Sequence, residues 1–317
     1  MNTINILIAY DDLDWNYTRH CCVTILSILE NNKKNKIKFY IISSCLSKEN
    51  VDYIKNLVDE YNQDIEFIIR DTVIPKNIQS LLINRGILTW WTFYRLFFNL
   101  YIKDVERILY LDCDTIITKD LSYIYNMDMQ WKPIAWYYDS EMNRHEREVL
   151  DTDHYINAWV LLIDAKEYIK YPITIEKIKQ ANKKYEKRLN YADQDYLNIL
   201  FRDEILISER WMNYLITRPF LNSGINKATI IHCLYKPYLK YSFCPKKVKK
   251  LYYHYLNKTK WKWYPEKVNW NLTNYIVENL HKLLILIILK IFGVKWVFYY
   301  DNLRLKERVL WLFGIRR

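Results

Sequence analysis

Residues 107–114, Arg-Ile-Leu-Tyr-Leu-Asp-Cys-Asp, join a short apolar run to two acidic residues. The run Ile108–Leu111 predicts a buried strand, because a few consecutive apolar residues between polar ones suit a strand that is covered on both faces. Asp112 and Asp114 follow where that strand ends. Residues i and i+2 of an extended chain point to the same side, so both carboxylates can reach one point.

Context distinguishes this Asp-x-Asp spacing from the others in the chain, which occur at 12/14, 151/153 and 193/195. Two like charges that converge at the end of a buried strand are unfavourable unless a cation or hydrogen-bond donors compensate them. Mn²⁺ and Mg²⁺ bind oxygen ligands, and one ion can coordinate carboxylate and phosphate oxygens at the same time. Asp112 and Asp114 therefore predict a metal site, with a pair of solvated loop acids as the alternative.

The surrounding sequence alternates between strand and helix patterns. Strands are predicted at 5–9, 36–42, 65–69, 107–111, 133–138, 158–163 and 229–231. Helices are predicted at 22–29, 47–58, 93–102, 174–188 and 195–201. This order predicts an open α/β sheet, whose ligands bind beyond the carboxyl ends of the strands.

Composition excludes several classes of protein. The chain has only four glycines and contains neither G-x-G-x-x-G nor G-x-x-x-x-G-K-[ST], so a Rossmann dinucleotide site and a P-loop are excluded. The six cysteines show no C-x-x-C spacing and predict reduced thiols in the core. The apolar stretch Ile4–Ala9 follows Met1 without a basic segment, which favours a first strand over a signal peptide. We therefore expect a cytoplasmic enzyme.

The net charge of +11 belongs to the C-terminal part of the chain. Residues 246–317 contain 16 Lys and Arg against 4 Asp and Glu, whereas residues 1–245 contain 31 against 32. We therefore predict a catalytic domain at 1–245 and a separate basic region at 246–317. The charge gives no reason to expect nucleic-acid binding by the main domain.

The basic region also contains the apolar run Leu283–Leu289, flanked by Lys282 and Lys290. A span of the bilayer needs about 20 apolar residues, so this run is too short. Cations beside apolar segments are typical of helices that lie on an anionic membrane surface. Residues 246–317 are thus predicted to associate with a membrane, and a core helix with solvated cations beside it is the alternative.

Six segments, in chain order, resemble the motifs of glycosyltransferase family 8. They are Ile6–Asp12, Thr92–Leu96, Leu109–Asp114, Tyr155–Ala158, Ala192–Asp195 and Ile231–Pro237. The family consists of retaining enzymes of the GT-A fold, including bacterial lipopolysaccharide galactosyl- and glucosyltransferases and glycogenin. The resemblance extends from residue 4 to about residue 240 and implies a single Rossmann-like mixed sheet flanked by helices.

The resemblance also implies roles for individual residues. The metal ligands would be Asp112, Asp114 and His232. The catalytic residues would be Gln194, Asp193 and Asp139. The donor-binding residues would be Ala9, Asp11, Tyr17, Arg95, Asp112, Cys113, Asn157, Ala158, Asp193, Gln194 and Lys236. Arg95 has an alternative interpretation, because an Arg within an aromatic helix is often a snorkelling side chain.

By this resemblance the chain transfers a hexose, galactose or glucose, from a UDP-sugar with Mn²⁺ or Mg²⁺ as the cofactor. The acceptor is expected to be a cell-surface glycan or glycolipid such as lipopolysaccharide, and the enzyme is expected at the inner face of a bacterial cytoplasmic membrane. Gln194 is a neutral amide and a poor nucleophile, which favours a front-face route with retention. A catalytically silent protein of the same fold is the alternative.

Two positions depart from the family pattern. Trp159 occupies the place of a glycine after Asn157-Ala158. Only three residues separate His232 from Lys236, where family members usually have five that include a glycine. We expect both departures to affect the sugar and diphosphate pocket more than the metal ligands.

Overall fold

The computed structural model describes residues 3–12, 17–84, 90–136, 150–152, 154–208, 213–215, 225–233, 237 and 244–262. Contacts divide the chain into a unit of residues 1–235 and 244–264 and a unit of residues 236–243 and 265–317. Every helix and strand given below belongs to the first unit. In the part of the chain that is described, no helix has the length and apolar character that crossing a membrane requires.

A seven-stranded mixed sheet forms the centre of the first unit. Its strands are β1 (Ile4–Ala9), β2 (Ile37–Ser43), β3 (Asp64–Ile69), β4 (Arg107–Leu111), β6 (Ile134–Trp136), β7 (Val160–Asp164) and β8 (Ile205–Ile207), in the order β3-β2-β1-β4-β7-β6-β8. β3, β2, β1 and β4 run parallel to one another, and β7 runs antiparallel to both of its neighbours, β4 and β6. The predicted mixed α/β sheet is confirmed.

The central strands are buried as their apolar runs predict. Ile6, Leu7 and Ile8 of β1 and Ile108 to Leu111 of β4 have no exposed surface. Because β1 and β4 are parallel neighbours, with Ile6 opposite Leu109, their carboxyl ends meet at the same edge. This edge carries Asp11 after β1 and Asp112 after β4.

Eight described helices accompany the sheets. They are α1 (Tyr17–Asn31), α2 (Lys48–Asp59), α3 (Lys76–Gln79), α4 (Ser122–Tyr125), α5 (Ala165–Tyr168), α6 (Ile175–Tyr185), α7 (Asp193–Leu200) and α8 (Lys246–Leu256). Ser47, the first residue of the predicted helix at 47–58, caps α2, since its side chain accepts a hydrogen bond from the backbone N–H of Asn50. The apolar residues Ile54, Leu57 and Val58 then face the core.

The predicted helix at 93–102 is wrong. The segment instead forms two 3₁₀ turns, Trp90–Leu96 and Phe98–Leu100. Aromatic side chains lose rotamer freedom in an α-helix, and six of the ten residues from 93 to 102 are aromatic or β-branched. The tighter turns bury Thr92 to Leu96, including Arg95.

A second sheet of three strands was not predicted in full. It consists of β5 (Thr115–Ile117), β9 (Asn213–Leu215) and β10 (Ile230–His232), in the order β5-β10-β9. β10 was predicted at 229–231, whereas β5 and β9 were missed. β5 begins directly after Asp114, so this small sheet is continuous with the predicted metal loop.

Helix α8 begins the basic region that was predicted to associate with a membrane. The hydroxyl of Tyr252 lies 2.7 Å from Nδ1 of His20, and the side-chain amide of Asn31 donates to the hydroxyl of Tyr255 at 3.0 Å. These contacts, with buried Val248 and Leu256, pack α8 against α1 in the first unit. Residues 263–317, including the apolar run at 283–289, lie outside the described residues.

Candidate active site

Asp112, Asp114 and His232 meet beyond the carboxyl end of β4. Each offers one ligand atom, and these atoms all lie within 4.8 Å of one another. Nε2 of His232 lies 3.0 Å from Oδ1 of Asp114. Two carboxylates and an imidazole form a donor set that suits a divalent cation. The structure thus brings together the three predicted metal ligands, and metal binding itself stays a prediction.

Strand pairing brings His232 to residues that precede it by a long stretch of sequence. β10 runs antiparallel to β5 and places His232 opposite Thr115. The backbone N–H of Cys233 donates to the carbonyl of Asp114 at 3.1 Å. On the other side, the backbone N–H of Asp112 donates to the carbonyl of Trp159 at 2.9 Å. The loop of the two carboxylates is therefore fixed by backbone bonds from both sheets.

Arg95 is a buried cation of this site. Its Nη1 lies 3.2 Å from Oδ1 of Asp112, and its Nε lies 3.1 Å from Oδ2 of Asp193. Its guanidinium carbon lies 4.5 Å from the centre of the Tyr110 ring. Burial opposes the charge of Arg95, but Asp112 and Asp193 outweigh it and raise its pKa. With 2% of its surface exposed, Arg95 is not a snorkelling side chain.

The site disfavours the charge of its own carboxylates. Burial raises the pKa of Asp193 to about 6, against the opposing effects of Arg95 and Thr92. Burial also raises the pKa of Asp112; Arg95 opposes this and Asp114 adds to it. One guanidinium therefore serves two carboxylates, the buried Asp193 and Asp112, whose side chain is 13% exposed, with Asp114 close by. A further cation between Asp112 and Asp114 would stabilise their ionised forms, which supports the fit of a metal to these residues.

Gln194, at the start of α7, is bonded at both ends of its side chain. Its carbonyl oxygen accepts from the backbone N–H of Ala158 at 3.1 Å, and its amide donates to the hydroxyl of Tyr155 at 3.1 Å. The same hydroxyl donates to Oδ1 of Asp195 at 2.5 Å. α7 thereby holds the segment before β7 in place, next to Asp193 and Arg95.

Asn157 contributes a buried donor. Its Oδ1 accepts from the backbone N–H of Trp159 at 3.4 Å. Its Nδ2 is buried and has no hydrogen-bond partner among the residues that the structure describes. Buried amide groups normally have partners, so this N–H group is suited to meet a ligand.

The carboxylate of Asp11 is held by several donors at the end of β1. It accepts from the backbone N–H of Ser44 at 2.6 Å and from the hydroxyls of Ser44 and Tyr94 at 2.9 and 3.2 Å. Ala9 precedes it and is fully buried. These hydrogen bonds fix the orientation of the Asp11 carboxylate, which the resemblance assigns to binding of the donor ribose.

Asp12 caps helix α1. Its Oδ1 accepts from the backbone N–H of Tyr17 at 2.8 Å, and its Oδ2 accepts from the hydroxyl of Thr18 at 2.6 Å. Tyr17 is half-buried, with its ring 5.5 Å from that of Trp91. The predicted uracil-stacking residue therefore lies at the first turn of α1, beside a second aromatic ring.

Comparison with known proteins agrees with this architecture. Residues 6–240 match the sequence profile of glycosyl transferase family 8. This range includes both sheets, apart from the first two residues of β1, and all of the site residues described in this subsection. The chain belongs to glycosyltransferase family 8. The activity of this family, glycosyl transfer, is therefore the activity class of the protein.

Several relatives of this family 8 glycosyltransferase are known. General stress protein A of Bacillus subtilis is 26% identical and aligns over 78% of this chain and 92% of its own length. A putative glycosyltransferase of Haemophilus influenzae and a lipopolysaccharide 1,2-glucosyltransferase of Escherichia coli are each 28% identical, over 68% and 65% of this chain. The alignments span 64% and 61% of those two relatives, so this chain matches rather less than two thirds of their length.

A solved structure shows the same fold. The galactosyltransferase LgtC, in complex with donor and acceptor sugar analogs, has a TM-score of 0.68 and 21% identity, and the match covers 81% of this chain and 96% of LgtC. The glycosyltransferase GlyE of Streptococcus pneumoniae has a TM-score of 0.58. The predicted GT-A fold is confirmed.

Two predicted site residues of this glycosyltransferase lie outside the described residues. They are Asp139, predicted as catalytic, and Lys236, predicted as a contact of the diphosphate. Trp159, which replaces the family glycine, is described. Its ring centre lies 4.7 Å from that of His232, at an angle of 85°. The indole therefore packs edge-on against a predicted metal ligand.

Sequence reasoning missed Tyr110 and Tyr155. The hydroxyl of Tyr110 donates to Oδ1 of Asp112 at 2.5 Å. Its position two residues before Asp112 on a strand is a usable signal, since side chains at i and i+2 share a face. Tyr155 bonds Gln194 and Asp195 across a long stretch of sequence, and no local pattern indicates that contact.

Proposed function

We propose that this protein transfers a hexose from a UDP-sugar with retention of the anomeric configuration and with a divalent metal, Mn²⁺ or Mg²⁺. The observation that carries the proposal is the meeting of Asp112, Asp114 and His232 at the carboxyl end of β4, beside the buried Arg95. Departure of a nucleoside diphosphate requires compensation of growing negative charge. A metal ion bound there would supply that compensation as a Lewis acid.

In this proposal each residue positions or polarises the donor. The metal is held by Asp112, Asp114 and His232. Arg95 orients Asp112 and Asp193 through its ion pairs with both. Asp11 and Tyr17 bind the ribose and the base. Asn157 offers its buried Nδ2–H to the sugar, since that donor has no hydrogen-bond partner among the described residues.

Gln194 acts through position and not as a nucleophile. Both ends of its amide are hydrogen bonded, to the backbone of Ala158 and to the hydroxyl of Tyr155. A bonded neutral amide supports a front-face route, in which the acceptor hydroxyl attacks the sugar on the side that the diphosphate leaves. The leaving diphosphate then takes the acceptor's proton, so no described residue needs to serve as the general base.

The donor and acceptor classes are inferred from relatives. LgtC is a galactosyltransferase, and the Escherichia coli relative is a lipopolysaccharide 1,2-glucosyltransferase. We infer a UDP-galactose or UDP-glucose donor and a lipopolysaccharide-type glycan acceptor. The acceptor would be presented at the inner face of a bacterial cytoplasmic membrane.

The purified full-length chain should hydrolyse one UDP-hexose slowly in the absence of acceptor, and only when Mn²⁺ or Mg²⁺ is present. Incubation with UDP-galactose, UDP-glucose and their N-acetyl derivatives, with and without EDTA, measures this by UDP release. Release of UDP that does not depend on the metal would contradict the proposal, as would the absence of UDP release from every UDP-hexose tested. Binding of UDP without any turnover would favour the catalytically silent alternative.

We further propose that the basic region attaches the enzyme to an anionic membrane through residues 263–317. The described part of that region, α8 and the turns after it, packs on the catalytic unit. Lys258 pairs with Glu30 at 2.6 Å and Lys260 pairs with Glu49 at 2.7 Å. Membrane binding is therefore assigned to the chain beyond Lys262.

Two truncations test this assignment. A chain ending at Lys262 should keep UDP-hexose hydrolysis within about twofold and lose sedimentation with phosphatidylglycerol vesicles. A chain ending at Pro245 also loses α8, whose buried side chains Val248, Tyr252, Tyr255 and Leu256 are each worth about 1.5–3 kcal/mol. This is comparable to the whole stability of a domain, about 5–15 kcal/mol. The chain ending at Pro245 should therefore fail to fold. Unchanged vesicle binding by the chain ending at Lys262 would refute the proposed membrane attachment.

A further inference from the structure

The loop between β4 and β5 has an unusual support for its carbonyl groups. The carbonyl of Asp114 accepts from the backbone N–H of Cys233. The carbonyls on either side of it, those of Cys113 and Thr115, both lie at hydrogen-bond distance from one side chain. That side chain is Thr24, whose Oγ1 is 2.9 Å from the Cys113 oxygen and 2.8 Å from the Thr115 oxygen.

Thr24 belongs to a buried polar stripe on α1. One turn further along, Ser27 Oγ accepts from the backbone N–H of Ile117 at 2.9 Å. After a second turn, the half-buried Asn31 donates to the carbonyl of Ile117 at 3.1 Å. These residues follow at i, i+3 and i+7, so they share one helix face. The side chains of the stripe thus form hydrogen bonds with the backbone groups of β5 that face away from β10. Within this stripe, Thr24 is the member that reaches into the loop of Asp112 and Asp114.

We propose that Thr24 is a positioning residue for Asp114 in the metal site. Its single hydroxyl proton is shared between the carbonyls of Cys113 and Thr115, so Thr24 restrains the peptide plane that precedes Asp114 and the plane that follows Thr115. The Cys233 N–H holds the plane between them through the Asp114 carbonyl. Thr24 has no exposed surface, so water does not replace this bond. Partners behind metal ligands set the orientation of those ligands and thereby the metal affinity. The inference rests on the proposed metal-dependent function.

The test compares full-length variants by their affinity for Mn²⁺. Thr24→Val keeps the β-branched shape and removes the hydroxyl, and Thr24→Ser keeps the hydroxyl. Ser27→Ala is the matched control, because it removes a buried hydroxyl from the same stripe whose two partners, the carbonyl of Thr24 and the backbone N–H of Ile117, both lie outside the metal loop. Free Mn²⁺ is measured by electron paramagnetic resonance during titration, with and without UDP, and unfolding in urea is followed for each variant.

We expect Thr24→Val to weaken Mn²⁺ binding by about 10-fold to 100-fold, in line with other residues that support metal ligands. Thr24→Ser should stay within about threefold of the parent, and Ser27→Ala should lower the urea midpoint but not the Mn²⁺ affinity. Should Thr24→Val fail to fold, Thr24→Cys, whose thiol is a weak donor, gives the same comparison.

Equal Mn²⁺ affinity of Thr24→Val and the parent would overturn the inference, as would an equal loss in Ser27→Ala. Both results would leave the proposed function intact, provided that the parent binds Mn²⁺. Failure of the parent to bind Mn²⁺ with UDP would instead refute the metal-dependent function. The two failures are therefore distinguishable in the same titration.

Discussion

Replacing Asp112 by Asn is expected to lower metal-dependent UDP-hexose turnover by at least about 100-fold, because loss of one group that stabilises developing charge typically costs 10²–10³ in rate. The change keeps the size of the side chain and removes its charge. Asp112 is bonded to Tyr110 and Arg95 and is predicted to hold the metal. The measurement is UDP release at saturating donor over a range of Mn²⁺ concentrations.

The same variant should be at least as stable as the parent in the absence of metal. Burial raises the pKa of Asp112, which means that the fold disfavours its ionised form even beside Arg95. Removing that charge relieves the site, so the thermal midpoint in EDTA should stay equal or rise. In the parent, Mn²⁺ should raise the thermal midpoint, since a ligand at 100 times its Kd stabilises a protein by about 2.7 kcal/mol. This rise should disappear in the variant.

Asp151→Asn is the matched control for this experiment. Asp151 starts another Asp-x-Asp spacing, but its side chain is 76% exposed and its described ion-pair partner is Lys184 at 3.7 Å. Turnover and the response to Mn²⁺ should be unchanged in this variant. If Asp112→Asn retained full turnover, or if it unfolded at a much lower temperature in EDTA, the assignment of Asp112 would be wrong.

The parallel half of the sheet could be predicted from the sequence because its signals are local. The strands at β1, β2, β3 and β4 are apolar runs, and Ser47 marks the start of α2. Each of these elements is specified by its own residues. The structure shifts their ends by a residue or two and leaves their order unchanged.

The elements that were missed depend on contacts between distant segments. The strands that were not predicted, β5, β8 and β9, have three residues each, too few for a periodic pattern. β5 is a strand because β10 and the polar stripe of α1 satisfy its two edges. Helix α8 begins with the lysines of the basic region that was predicted to associate with a membrane, whereas its Tyr252 and Tyr255 bond to His20 and Asn31 of α1.

The candidate site was predicted by residue type and order, and its energetics were not. The motif resemblance named Asp112, Asp114, His232, Arg95 and Asp193, and the structure brings all five into one cluster. The sequence does not indicate that one buried guanidinium serves two carboxylates. Such sharing depends on burial and distance, and it determines how the site responds to mutation.

Arg95→Met is expected to destabilise the protein by about 3–5 kcal/mol, the usual cost of removing one partner of a buried ion pair. The methionine fills much of the same volume, so the loss comes from charge. Without the guanidinium, the buried Asp193 at the start of α7 and the largely buried Asp112 after β4 have no described cation within ion-pair distance. A midpoint lower by roughly 10 °C should result, given about 2–4 °C per kcal/mol for domains somewhat smaller than this chain.

Arg202→Met is the matched control for the loss of charge. Arg202 donates to the carbonyls of Leu150 and Asp151 and to the hydroxyl of Tyr185. All of these acceptors are neutral, so no carboxylate is left without a partner. This variant should lose less stability than Arg95→Met and should keep its turnover.

The double variant Arg95→Met with Asp193→Asn separates stability from catalysis. Removing the charge of Asp193 leaves one uncompensated carboxylate where the single variant has two, so the double variant should recover a substantial part of the lost stability. The two changes should therefore be non-additive, as expected for groups in one ion-pair network. Turnover should stay at the level of Arg95→Met or below it, because neither the guanidinium nor the carboxylate is restored. Additive destabilisation would show that Arg95 and Asp193 contribute independently, and the buried ion pair would then be no more than a close approach of two side chains.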